Sequence, residues 1–245
     1  KYAMDQVFSS AVPSIGNYKE FNDTDHMESL FDKLTFLSFW LATFSLTAFL
    51  CLVDGFIADI WLTADRVLPF SVVLAIFIEM YVCMMTRPSR TIRESCGLFV
   101  QGKWRPVVMA IINIVSSVIL TIKLGLIGVI LGTIIARVTT QFWYDPYVIY
   151  KHLFKRSPKH FFMSLAKYVF VSAVICTVTL LLVNLIALPN AFVQFMLKVI
   201  AVVIIPNGIL LLLYHKNDHF QWLYATLQRL LFSKLKRKAT DNVSK

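Results

Sequence analysis

Six long apolar stretches dominate this chain, and each is long enough to cross a lipid bilayer. A helix needs about 20 residues to span the roughly 30 Å of hydrocarbon in a membrane. The stretches are residues 34–53, 67–86, 106–122, 125–144, 161–187 and 191–214. The sequence therefore predicts an all-α fold, a polytopic transmembrane helical bundle, and it argues against a water-soluble enzyme.

The composition supports a membrane protein and removes the need for a nucleic-acid partner. Hydrophobic residues make up 58% of the chain and charged residues only 16%. A soluble domain of this length is less apolar. The formal charge of +10 is explained by a basic excess on one membrane face. We therefore expect membrane lipids, and no nucleic acid, among the partners.

Successive connections are alternately rich and poor in lysine and arginine, and this pattern predicts how the chain is oriented in the membrane. The connections at 18–33, 87–105 and 145–160, together with the segment from 215 onwards, carry 18 of them. The intervening connections carry only Arg66 and Lys123. Cytoplasmic loops retain lysine and arginine. The long basic connections and the C-terminus are therefore predicted to be cytoplasmic.

The chain divides into four parts. Residues 1–17 are interpreted as the end of a transmembrane helix whose beginning precedes the sequence. Residues 18–144 contain further transmembrane helices, with a short interfacial helix expected near 88–100. Residues 161–214 form two additional transmembrane helices. Residues 215–245 are expected to be a cytoplasmic, amphipathic, basic tail, which either lies on anionic lipid or is solvated.

Two charged residues lie deep in the predicted spans. Glu79 and Arg137 are each about 12 residues from the start of a span that begins at the outer face, which corresponds to a depth of ~18 Å. An unpaired charge is costly in the hydrocarbon. Equal depth permits a Glu79–Arg137 ion pair, and it equally permits an Arg137 that faces a cavity and binds an anionic group.

Small and polar residues in the third and fourth apolar stretches indicate close packing. Gly128, Gly132 and Ala136 are four residues apart and share one helix face, where another backbone can approach closely. Asn113 in the preceding helix either bonds across to a neighbouring helix or lines a wet cavity.

Acidic residues near the outer end of the first complete span suggest a vestibule. Asp54 and Asp59 lie there, with Arg66 just beyond, and they are candidates for coupling to a proton or Na⁺ gradient. The four cysteines and five histidines show no zinc spacing. We therefore expect neither a metal site nor a cofactor.

The segment 95–150 carries a recognisable pattern of glycine, asparagine and threonine residues. Its defining positions are Gly97, Asn113, Gly125, Gly128, Gly132 and Thr133. This pattern resembles the polysaccharide flippases of the multidrug/oligosaccharidyl-lipid/polysaccharide exporter superfamily. The segment PSIGN, from Pro13 to Asn17, and the region of Trp61 are also similar to these proteins.

This resemblance implies a two-lobed, MATE-like exporter fold in which the present chain is the C-terminal lobe. Such proteins move undecaprenyl-diphosphate-linked oligosaccharide from the inner to the outer leaflet of the bacterial cytoplasmic membrane by alternating access, for capsule, exopolysaccharide or teichoic-type glycan assembly. Arg137, Glu79 and Asn113 are then the candidate substrate-binding residues. The implied partners are the lipid-linked oligosaccharide, the N-terminal lobe, and the glycan polymerase and export machinery.

Other functions remain open from the sequence. A multidrug or cation antiporter of the same superfamily would use Glu79 in an acidic cavity. A membrane-embedded glycan-assembly enzyme would need a large outer loop, whereas the outer connections here are about two to five residues long. We therefore expect no enzymatic activity. A non-transporting scaffold is the remaining alternative.

Overall fold

A computed structural model describes residues 2–21, 23–61, 68–225 and 228 of the protein. All regular secondary structure in this part of the chain is helical. The α-helices are α1 (Tyr2–Glu20), α2 (Thr24–Gly55), α3 (Phe70–Met85), α4 (Arg87–Ser95), α5 (Arg105–Leu124), α6 (Leu126–Arg137), α7 (Trp143–Ile149), α8 (Lys159–Asn184) and α9 (Ala191–Tyr214). Wider, π-helical turns extend α2 over Phe56–Trp61, join α6 to α7 over Val138–Phe142, and follow α7 over Tyr150–Phe154.

Six continuous helical segments are long and apolar enough to cross a membrane. They are Thr24–Ala58, Phe70–Ser95, Val100–Leu124, Leu126–Phe154, Lys159–Asn184 and Ala191–Tyr214. Each contains most of one predicted stretch, so the prediction of an all-helical protein with six candidate spans is confirmed. The protein is therefore a membrane-embedded helical protein.

The first basic connection is much shorter than predicted. Residues 18–33 were expected to be a polar connection, but α1 continues to Glu20 and α2 already starts at Thr24. Asp23 caps α2, since its carboxylate accepts the His26 backbone N–H at 3.2 Å. Met27 and Phe31 follow at helical spacing and are buried, so core packing stabilises this polar turn of helix.

The connection predicted at 145–160 is also largely helical. The helix continues through α7 and the wide turns that end at Phe154. Tyr150 and Phe154 are buried beside Phe31, each at 6.3 Å between ring centres. Burial of these large rings holds the segment in a helix although its hydropathy is mixed.

The helix near 88–100 is shorter than predicted and packs on the bundle. α4 follows α3 after the single residue Thr86 and ends at Ser95. α4 contacts α1, α2 and α7. Its residues Pro88, Ile92 and Arg93 are buried.

Helix α2 lies at the centre of the fold. It packs against α3, α8 and α9. α6 packs on α3, and α5 packs on α6 at the edge of the bundle. The core includes Phe39 stacked on Tyr168, with ring centres 4.5 Å apart. α9 continues through Pro206, and its Asn207 Oδ1 accepts the Trp40 indole N–H at 2.9 Å.

The basic connections meet at one end of this bundle. Three contacts join them: Lys19 Nζ donates to the Cys96 carbonyl at 2.9 Å, Arg156 Nη1 pairs with Glu28 Oε2 at 2.7 Å, and Lys33 Nζ lies 5.9 Å from the centre of the Trp222 ring. Within the described residues, the connections that the sequence assigns to one membrane face therefore share one end of the fold. The predicted amphipathic tail lies largely outside the described residues, which after 225 include only residue 228.

Candidate functional site

Glu79 of α3 and Arg137 of α6 form an ion pair between two candidate spans. Arg137 Nη2 donates to Glu79 Oε1 at 2.8 Å. Arg137 Nη1 also reaches Gln141 Oε1 at 3.5 Å, near the upper limit for a hydrogen bond. The structure thus contains the pair that equal depth permitted, and it joins the two helices directly.

This pair is not sealed inside the bundle. The Arg137 side chain is 17% exposed and the Glu79 side chain 26% exposed. The Arg137 Nε–H is buried and has no hydrogen-bond partner among the described residues. A guanidinium has five N–H donors, so Arg137 retains donor capacity beyond its bond to Glu79.

A tight hairpin of α5 and α6 fixes the position of Arg137. Gly125 forms the turn with a φ of +62°, a conformation that favours glycine. A Cβ on Gly128 would stand 2.5 Å from the Thr121 nitrogen, and one on Gly132 would stand 2.7 Å from the Ser117 Cα. Both glycines therefore lie directly against α5. Ala136, on the same face, is fully buried.

Asn113 belongs to the hairpin interface. Its amide Nδ2 lies 3.4 Å from Thr133 Oγ1, and its Oδ1 accepts the Ser117 hydroxyl at 3.1 Å. These contacts stay within α5 and α6, whereas Arg137 contacts α3. The structure therefore brings Glu79 and Arg137 together and gives Asn113 an interhelical hydrogen-bonding role.

The two acidic candidates for ion coupling belong to α2 and the helical turns that continue it, not to α3 or α6. Asp54 is at the end of α2, and its Oδ1 is buried without a hydrogen-bond partner among the described residues. Asp59 falls in the wide helical turns at Phe56–Trp61, and its side chain is outside the described part of the structure. In the described ranges no group of three or more His, Cys, Asp or Glu residues could hold a metal ion.

A second charge cluster was missed by the sequence analysis. Asp145 is fully buried, and its carboxylate is shared by two arginines. Its Oδ1 lies 3.2 Å from Arg93 Nε, and its Oδ2 accepts from Arg105 Nη1. The two arginine side chains are 7% and 12% exposed. Gly102 permits this arrangement, since a Cβ there would stand 2.6 Å from Arg93 Nη1.

The sequence contains only a weak signal for this cluster. Its arginines lie in a connection whose basic residues were explained by the membrane orientation alone. Asp145 stands between aromatic residues in a segment that was predicted to be a loop. A single acidic residue among aromatic residues is the signal, because a buried carboxylate needs a cationic partner. It is weak because two of these neighbours, Trp143 and Tyr147, are themselves exposed.

Comparison of the chain with models of known protein families, with curated proteins and with solved structures finds no match.

Proposed function

We propose that this chain is the C-terminal lobe of a two-lobed, MATE-like exporter. In this proposal the protein moves undecaprenyl-diphosphate-linked oligosaccharide from the inner to the outer leaflet of a bacterial cytoplasmic membrane by alternating access, and the glycan serves capsule, exopolysaccharide or teichoic-type assembly. The observation that carries the proposal is the Glu79–Arg137 pair between α3 and α6.

The partial exposure of this pair supports a cavity or a second lobe beside it. A charged side chain at the centre of a membrane helix costs roughly 2.5–3.5 kcal/mol on insertion scales. The pair belongs to helices that are otherwise apolar and long enough to span. Its exposed portion is therefore better placed against water or protein than against lipid tails, as expected where two lobes enclose a transport pathway.

The chemistry of Arg137 suits a diphosphate. A guanidinium offers a planar fork of N–H donors, and it binds phosphate oxygens in a bidentate manner. The Arg137 side chain stays 17% exposed beside its bond to Glu79. The polar head and glycan of the substrate cannot cross hydrocarbon with their hydrogen-bonding groups unsatisfied. A cationic site between the lobes would hold the head group while the protein changes its conformation.

A cation exporter has less support from the same geometry. Such a protein needs a carboxylate that is available to a cationic drug. Glu79 is already paired with Arg137 at 2.8 Å. Arg137 would have to be displaced before Glu79 could bind a second cation.

A charge swap separates a substrate-binding role of Arg137 from a structural one. The full-length protein that carries this chain is reconstituted in liposomes with a fluorescent undecaprenyl-diphosphate oligosaccharide, and flipping is followed by chemical quenching of the outer leaflet. R137E places two carboxylates together and should lower both stability and flipping. The double variant E79R/R137E restores the ion pair, so thermal stability should recover while flipping stays low.

The matched control is R90Q/E94Q, which removes an exposed pair at 2.9 Å and should leave flipping unchanged. Normal flipping by E79R/R137E would show that Arg137 acts only through its ion pair. No flipping by the wild-type protein, under conditions where it is folded and correctly inserted, would overturn the transport function and favour a scaffold.

A further inference from the structure

A cavity of about 300 Å³ lies at the basic end of the fold, between the start of α5 and the segment that joins α6 to α7. We call it the interfacial cavity. Its lining includes Gln101, Trp104, Arg105, Val108, Trp143 and Tyr144. The Tyr144 hydroxyl donates to the Gln101 carbonyl at 2.6 Å and so joins the two walls.

The positive charge of Arg105, which lines the cavity, is only partly neutralised. Arg105 pairs with Asp145, but Arg93 shares the same carboxylate. Glu94 lies 3.9 Å from Arg93 and is itself paired with Arg90 at 2.9 Å. An excess of positive charge therefore remains beside the cavity.

Two further features strengthen this positive character. Lys103 Nζ lies 5.8 Å from the centre of the Trp104 ring, next to the cavity. The N-terminus of α5 begins at Arg105, and its partial positive charge favours an anion.

The rim and the surroundings of the cavity are suited to a lipid. Trp104 and Trp143 are 68% and 47% exposed, as expected for aromatic residues at a membrane surface. Along α5, the lining residue Val108 is followed by an apolar groove of about 410 Å³. The groove is lined by Ile111, Ile112, Val115, Ser116, Ile119, Leu120 and Ile135. A soluble anion would leave this groove uncovered, whereas an acyl chain would fill it.

We propose that the interfacial cavity binds the phosphate of an anionic phospholipid from the leaflet at the basic end of the bundle. Arg105 and Lys103 attract the phosphate, the two tryptophans flank the glycerol region, and one acyl chain follows the groove along α5. This site is separate from the Glu79–Arg137 pair, and the proposal does not depend on transport.

Native mass spectrometry of the purified protein tests the proposal. The protein is titrated with phosphatidylglycerol and, separately, with phosphatidylcholine of the same acyl chains. A surface cation contributes about a fivefold factor in affinity for anionic lipid. We therefore expect tighter binding of phosphatidylglycerol, and about a fivefold loss of that affinity in K103Q and in Q101E.

These variants leave the Arg93–Asp145–Arg105 cluster in place, so they are not expected to unfold the protein. The matched control is K123Q, which removes one charge from the other end of α5 and should keep the wild-type affinity. Equal binding of the two lipids by the wild-type protein would overturn the proposal. Equal losses in K103Q, Q101E and K123Q would also overturn it, because the attraction would then be that of the whole surface.

A competition experiment distinguishes a bound lipid from bound soluble phosphate. Inorganic phosphate is added in excess at constant ionic strength, with chloride as the reference anion. Bound phosphatidylglycerol should remain, because its acyl chain contributes to binding. Displacement by inorganic phosphate would assign the cavity to a soluble anion and reject the lipid assignment.

Discussion

Gly132 in α6 lies against the backbone of Ser117 in α5, so closely that a Cβ on Gly132 would stand 2.6 Å from the Ser117 nitrogen. Real side chains do not approach a backbone atom at this distance. G132A should therefore push α5 and α6 apart and lower the free energy of unfolding by about 1–3 kcal/mol, as overpacking does in other cores. Reversible unfolding in mixed micelles measures this change.

The matched control for this prediction is Gly208 in α9. A Cβ there would meet nothing within 4 Å. G208A should be neutral or should stabilise the helix by about 0.5–1 kcal/mol, because alanine loses less backbone entropy than glycine. If G132A and G208A had the same effect on unfolding, the close approach of α5 and α6 would be refuted.

The buried carboxylate of Asp145 should be far more important for stability than an exposed one. D145N leaves Arg93 and Arg105 together without their shared partner, and breaking a buried pair in this way costs about 3–5 kcal/mol. E94Q removes a carboxylate that is 43% exposed and should cost about 0–1 kcal/mol. Unfolding curves of the two variants, recorded in the same detergent, compare these costs. A similar loss in both would mean that water already screens the Asp145 cluster.

The sequence predicts the membrane-spanning helices of this protein well because their signal is local. Length and hydropathy alone identify six segments, and neither depends on the rest of the fold. The polar helical turns are a different case. Residues 24–33 and 145–154 are helical because Phe31, Tyr150 and Phe154 bury their rings against one another, and this packing is visible only when distant segments are assembled.

The candidate site shows the same contrast. Counting residues along two spans puts Glu79 and Arg137 at equal depth, which permits their pairing and equally permits an Arg137 that faces a cavity; the structure contains the pair. The partners of Asp145 lie in connections, where depth gives no constraint. Charge in a loop is normally solvated, so nothing local indicates that Arg93 and Arg105 turn inward.

His219 should make the attachment of the C-terminal segment sensitive to pH. Burial lowers the pKa of His219 from 6.5, and the charge of nearby Lys33 acts in the same direction. The ring lies 6.0 Å from Phe36, and its Nδ1 is buried without a hydrogen-bond partner among the described residues. Since the pKa is lower in the folded state, detachment favours proton uptake. The contribution of neutral His219 to the stability of this attachment should therefore be complete above pH 6.5 and decrease as the pH falls below this value.

Hydrogen exchange of residues 215–225 at pH 7.5 and at pH 5.5, corrected for intrinsic rates, measures this effect. We expect faster exchange at the lower pH in the wild-type protein and a smaller difference in H219Q. His152 is exposed, so H152Q should retain the wild-type response. A pH response that survives unchanged in H219Q would exclude this histidine as its source.

The basic connections meet at one end of the bundle, and we expect that end to face the cytoplasm. Arg90 and Lys155 are both exposed at that end, whereas Lys123 is exposed at the opposite end of α5. The variants R90C, K155C and K123C are prepared in a protein whose four native cysteines are replaced by alanine. A membrane-impermeant maleimide added to intact cells should label only K123C, because lysine and arginine are retained in cytoplasmic loops. R90C and K155C should react only after permeabilisation. Labelling of these two positions from opposite sides would be incompatible with the six alternating spans, since an even number of crossings separates them in this fold.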